Sequence, residues 1–259
     1  MTLKPALAAM LASGLIVPEA PKLVLPKPAI VKAENLEFSK HMLLGMPLTM
    51  GMLAKPAPVV PLASTYTGAV SSTANATSYS LSLPIGTASA GRYVVFAIAA
   101  RSGSTQSGVT IGGSAAVGLR VQAGLSLYRS SGPITSGTTA TVAVTLAGSA
   151  NNCLIYGWSI TGAVPVLIEA LYDGSSSTAN GVIIDVEANG CLIAASTTFN
   201  SLTQAWIGVT SRNYQVLEAN TSFAAGSDNI TTTQLNRVVQ PKWSATSTTL
   251  TVAGSFRTS

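Results

Sequence analysis

From about residue 64 onward, apolar and polar positions follow the short periods of β-structure. Residues 79–83 alternate strictly, Tyr-Ser-Leu-Ser-Leu, and so do residues 138–146. Residues 92–100, Arg-Tyr-Val-Val-Phe-Ala-Ile-Ala-Ala, form a near-continuous apolar run. That is the pattern of a central strand covered on both faces. Residues 109–116 read as a hairpin turning at Gly112-Gly113, because a tight turn needs positive φ and glycine supplies it. Residues 153–161 form another apolar strand. Residues 182–187, the pair Asn189-Gly190 and residues 191–195 read as a second hairpin, and residues 248–256 close the region. The expected class is all-β and antiparallel.

A faint repeat runs through this region. Residues 91–101 followed by 109–112 resemble residues 190–197 followed by 205–208. An alternating strand trails each copy, at 138–146 and at 248–256. Two tandem Ig-like or jelly-roll-like sandwich units, 63–164 and 165–259, fit this spacing and meet near Pro165. One large jelly-roll-like sandwich fits nearly as well.

The periodicity stops before Leu62. That stretch holds nine of the thirteen prolines and all six methionines. Residues 3–15 and 35–44 have the spacing of short helices, whereas the Pro-rich run 18–28 must be extended. An extended N-terminal arm with short helices and a Pro-rich linker is therefore expected over residues 1–62. Lys4 and the apolar run behind it resemble the start of a signal peptide, but Pro5 opens the run and Pro18-Glu19-Ala20 is a poor cleavage site. No run has the length of a membrane-spanning helix. The arm has no periodic apolar face long enough to close a core. Ordering its sixty-odd residues costs about 60–120 kcal/mol, which points to an obligate-type interface with a larger body. The expected anchor residues are Leu23, Leu25, Pro26, Pro28, Ile30, Leu36, Phe38, Met42, Leu44, Met46, Met50 and Met52.

Charge sharpens this picture. Only 9% of residues are charged, and 47% are hydrophobic, a balance foreign to disordered chains. The net charge of +5 forms no basic cluster with interleaved aromatics, so no nucleic-acid partner is expected. Six of the seven lysines lie in the first 55 residues, which suits an acidic protein surface as partner.

The residues that could carry chemistry have simpler explanations. His41 is the single histidine, so no Ser-His-Asp relay can form in the β region. Asp185 and Glu187 share a strand face and read as the solvated side of a hairpin. Glu169 and Asp173 read likewise, with Asp173-Gly174 as a turn. Cys153 and Cys191 sit in apolar runs and read as core thiols, with a disulfide between them left open. Trp158 and Tyr156 share one strand face and read as core. Trp206 and Trp243 lie among polar residues and are the candidates for glycan contact at the surface. Asn75, Asn220 and Asn229 begin glycosylation sequons of the kind that arise by chance in so Ser/Thr-rich a chain. No catalytic residue, metal or cofactor is expected, and the chain reads as a non-enzyme.

Two stretches carry a resemblance. One is residues 22–48, Lys-Leu-Val-Leu-Pro-Lys-Pro-Ala-Ile-Val-Lys through Gly-Met-Pro-Leu. The other is the β pattern of residues 91–102, 109–113 and 155–163. Together they resemble virion structural proteins of tailed bacteriophages and prophages, especially of alphaproteobacterial hosts. The resemblance implies a head- or tail-attached fibre, spike or decoration protein with an N-terminal anchor and an outward β-sandwich. The expected partners are other virion proteins and further copies of the chain, as a trimer for a fibre. The alternative readings are a carbohydrate-binding module that recognises host surface glycan and a secreted bacterial surface adhesin. The resemblance implies neither nucleic-acid nor membrane binding.

Overall fold

In the computed structural model, the structure describes residues 58–101, 104–217 and 221–259. The expected arm helices and all twelve anchor residues lie outside the described residues, as does His41.

The described residues are strands and connecting loops, and all sixteen strands pair antiparallel. The first nine are β1 (Ala63–Ser72), β2 (Ala76–Pro84), β3 (Tyr93–Arg101), β4 (Gln106–Ile111), β5 (Ser114–Ala115), β6 (Val117–Arg120), β7 (Leu125–Arg129), β8 (Thr139–Ala150) and β9 (Asn152–Thr161). They form sheet I, in the order β2-β8-β4-β5, and sheet II, in the order β1-β9-β3-β7-β6. The remaining seven are β10 (Pro165–Ala179), β11 (Val182–Val186), β12 (Cys191–Thr198), β13 (Gln204–Ile207), β14 (Ser211–Val216), β15 (Ser222–Asn229) and the long β16 (Gln234–Thr258). The second half of β16 belongs to sheet III, in the order β10-β16-β12-β15-β14. Its first half lies between β11 and β13, and these three segments form layer IV.

Side-chain alternation explains why the layers stack. On β3, Val94, Phe96 and Ile98 pack with Leu83, Val142 and Val144 of sheet I. The intervening Val95, Ala97 and Ala99 pack with Ile193, Ala195, Val252 and Phe256 of sheet III. Leu192, Ala194 and Ala253, on the far side of sheet III, pack with Ile184, Val186 and Val239 of layer IV. Strands buried on both faces must be apolar at every position, and β3, β9 and β12 are buried along nearly their whole length.

The repeat is a duplication of topology. β1 corresponds to β10, β2 to β11, β3 to β12, β4 to β13, β6 to β14, β7 to β15, β8 to the first half of β16, and β9 to its second half. The match of residues 91–112 with 190–208 follows this register. Residues 248–256, however, correspond to β9 and not to residues 138–146 in β8. Ladder pairing joins no strand before residue 164 to one after it. Even so, Pro56–Ser259 is one compact unit, held across that line by the shared core.

Two local expectations are corrected. Residues 182–187 and 191–195 do not pair as a hairpin. β11 pairs with β16 in layer IV and β12 lies in sheet III, with Asn189 at φ 63° in the connection. Both strands have buried apolar faces, and separate layers bury more of that surface than one two-stranded ribbon. Asp173-Gly174 is not a turn but lies within β10, paired with Thr251 and Leu250. The Gly112-Gly113 hairpin forms between β4 and β5, with φ of 57° and 81° at the two glycines.

Candidate functional site

Among the described residues, the most heavily bonded charged group is Arg92, which immediately precedes β3 and is fully buried. Its guanidinium donates to four backbone carbonyls: Gly86 at 2.7 Å, Ile134 at 2.9 Å, Ser136 at 2.7 Å and Gly137 at 3.0 Å. A planar fork of five donors can bridge two loops in this way, whereas an ammonium cannot. Burial lowers the Arg92 pKa from its ordinary value. The clamp fixes the loop before β8, one wall of a cleft of about 290 Å³ lined by Ile111, Gly112, Ser114, Ser130, Ser131, Gly132, Pro133 and Ile134. Serine side chains and the apolar Ile111, Pro133 and Ile134 line that cleft, with no ionisable group among them. Arg92 was hard to find from sequence, and its one signal is a lone cation at the head of an otherwise apolar run.

Four of the five side-chain carboxylates among the described residues are also engaged with backbone, and none is paired with another. Glu169 accepts from the Asp185 backbone N–H, and Asp173 accepts from the Gly181 N–H at 3.1 Å. Glu169 thus covers an N–H of β11, and Asp173 covers one in the connection just before it. Asp185 accepts from the Asn236 N–H at 2.7 Å, and Glu187 lies 3.8 Å from Arg257. Asp228 forms an ion pair with Arg237, whose Nε also donates to the Gly208 carbonyl at 2.7 Å. Gly208 has φ 75°, and a Cβ there would meet the Val238 carbonyl oxygen at 1.7 Å, so only glycine fits. Among the described residues, no group of three His, Cys, Asp or Glu is placed to hold a metal, and no helix is long and apolar enough to cross a membrane.

The aromatic residues divide differently from their sequence surroundings. Trp158 and Tyr156 are buried between sheets II and III, with Tyr66 edge-on to Trp158 at 5.8 Å between centroids. Burial pushes the Tyr156 hydroxyl well above its usual value. Trp243 is only 4% exposed, and Trp206 is half-buried against the inner cluster of layer IV. Trp243 is therefore not a surface residue: alternation along β16 turns it inward, whatever the polarity of its neighbours in sequence. The two tryptophans do not form an exposed stacking platform.

Cys153 and Cys191 are both free and buried. They lie in different cores, Cys153 between sheets I and II and Cys191 between sheets II and III. Burial pushes each thiol up to about 12. Asn75 is exposed in the β1–β2 connection. The Asn229 side chain instead accepts from the Ser64 N–H and hydroxyl at 2.7 and 2.9 Å.

Bonds like this one tie the two halves together. The Leu62 N–H donates to the Asn189 carbonyl at 2.8 Å, Asn213 donates to the Tyr66 hydroxyl at 2.6 Å, and Arg129 donates to the Pro165 carbonyl at 2.7 Å. Compared with protein-family models, with curated proteins and with solved structures, the chain gives no match.

Proposed function

We propose that this chain is a structural component of a bacteriophage virion, attached through residues 1–62 and presenting its β unit outward as a fibre, spike or decoration. Within that unit, residues 63–164 and 165–259 are read as tandem jelly-roll-like sandwiches. The observation that carries the reading is how the charged groups are used. Arg92, Arg129, Glu169, Asp173, Asp185 and Asp228 each hold backbone groups in place. They serve rigidity and not a reacting centre. The outer face of sheet I is a field of short hydroxyl side chains, with Ser78, Ser80 and Ser82 beside Thr145, Ala143 and Thr141. This is a neutral, well-hydrated surface suited to the exterior of a particle. The Pro- and Met-rich segment ahead of Leu62, and the sequence resemblance in both regions, support attachment.

The test is incorporation into particles. The full-length chain should co-purify with virions through a density gradient, while a chain lacking residues 1–57 should fold and stay in the soluble fraction. Virions devoid of the full-length chain, or equal incorporation of the truncated one, would refute the reading.

A further inference from the structure

The two outermost faces of the stack occupy equivalent positions in the duplicated topology, yet their chemistry is opposite. The outer face of sheet I carries hydroxyls. The outer face of layer IV carries an apolar row: Ile183 is 58% exposed and pairs directly with Val238, 44% exposed, while Ile207, 38% exposed, pairs with Gln240 one repeat along. Leu235, 72% exposed, lies at the same end as Asp185. Isolated apolar residues on a surface need no explanation, but a contiguous row does. It is the more telling because the sister face shows that this topology tolerates a hydroxyl surface.

The face is also charged oppositely at its two ends. Asp185, bonded to the Asn236 N–H, and Glu187 lie at one end. Lys242 is exposed at the other, six residues along β16. The other charged groups nearby are Glu169, bonded to the Asp185 N–H; Arg257, beside Glu187; and Arg237, paired with Asp228. We propose that layer IV is the interface for a second copy of this chain, packed face to face about a two-fold axis lying in the interface and crossing the strands. Such an axis reverses strand direction, so the Asp185 end of each copy meets Lys242 of the other and the apolar row crosses the middle against its counterpart. An isologous contact requires this kind of self-complementarity. The symmetry is two-fold, in place of the three-fold expected of a fibre, and the inference stands whether or not the chain belongs to a virion.

β11 flanks residues 234–239 of β16 and β13 flanks residues 240–243, so two strands about 4.8 Å apart over ten residues at about 3.3 Å each give a face of roughly 10 by 33 Å. That is less than the roughly 800 Å² per partner of a standard stable interface, so the dimer should dissociate at micromolar concentration.

Sedimentation velocity of the full-length chain between about 1 and 100 µM, the range such a face implies, is the test. The expected result is a concentration-dependent shift from monomer to dimer mass. Ile183→Lys with Val238→Lys should leave a monomer at every concentration, with the circular dichroism melt unchanged. Asp185→Lys should weaken association about tenfold or more, the scale of one charge reversal in a contact, and adding Lys242→Glu should restore it. A wild-type monomer, a trimer, or variants that associate like the wild type would each overturn the proposal.

Discussion

Replacing Trp158 with alanine tests whether the two halves of the β unit, before and after residue 164, are energetically one body. The side chain is fully buried, packs on Tyr66 and Tyr156, and belongs to the cluster that also holds Ile193, Phe223, Val252 and Phe256 of sheet III. Its indole N–H has no hydrogen-bond partner, so the change removes packing and breaks no hydrogen bond. Truncating a buried aromatic to alanine costs about 3–5 kcal/mol. For a unit of this size, each kcal/mol lowers the melting temperature by about 2–4 °C, so a drop of about 6–20 °C is expected. Thermal unfolding is followed by far-UV circular dichroism for the whole sheet content, and by the fluorescence of Trp206 and Trp243 for the second half alone. Both signals should move together in a single transition, because the lost contacts support both halves. If the fluorescence transition stays at the wild-type temperature while half of the dichroism is lost earlier, the shared core does not couple the two halves and the reasoning fails.

Two further predictions concern buried polar chemistry. Arg92→Met keeps the aliphatic stem but leaves four loop carbonyls without their donor. Since an unsatisfied buried group costs about 1–3 kcal/mol, and water will reach some of these loops, urea titration should show a loss of about 3–6 kcal/mol. A loss under 1 kcal/mol would mean that the clamp is not formed. The thiols of Cys153 and Cys191, pushed up to about 12 by burial, bind protons more tightly in the folded state than in the unfolded one. Their contribution is therefore intact below the ordinary thiol value near 8.5 and is lost as pH rises toward 12. Each thiol weakens folding by up to about 1.4 kcal/mol per pH unit in that window. Unfolding free energy measured between pH 8 and 11 should fall less steeply in a Cys153→Ala, Cys191→Ala double variant, and equal slopes would show that the thiols are not buried.

Period and composition alone determined the all-β class, the central strands at residues 92–100 and 153–161, the Gly112-Gly113 hairpin and the first part of the repeat. These depend on local alternation and on φ, which a short window of sequence records. The tertiary structure alone decided which layer each strand joins. Residues 182–187 carry the pattern of a hairpin arm, yet they pair with the first half of β16, some fifty residues away, because the apolar faces of β11 and β12 are both buried only when they lie in different layers. It also decided that Trp243 points inward, that Arg92 clamps two loops, and that one outer face is hydroxylated while its duplicate is apolar. Each of these follows from side chains brought together across long sequence separations, and period two cannot say which of a strand's two faces will meet solvent.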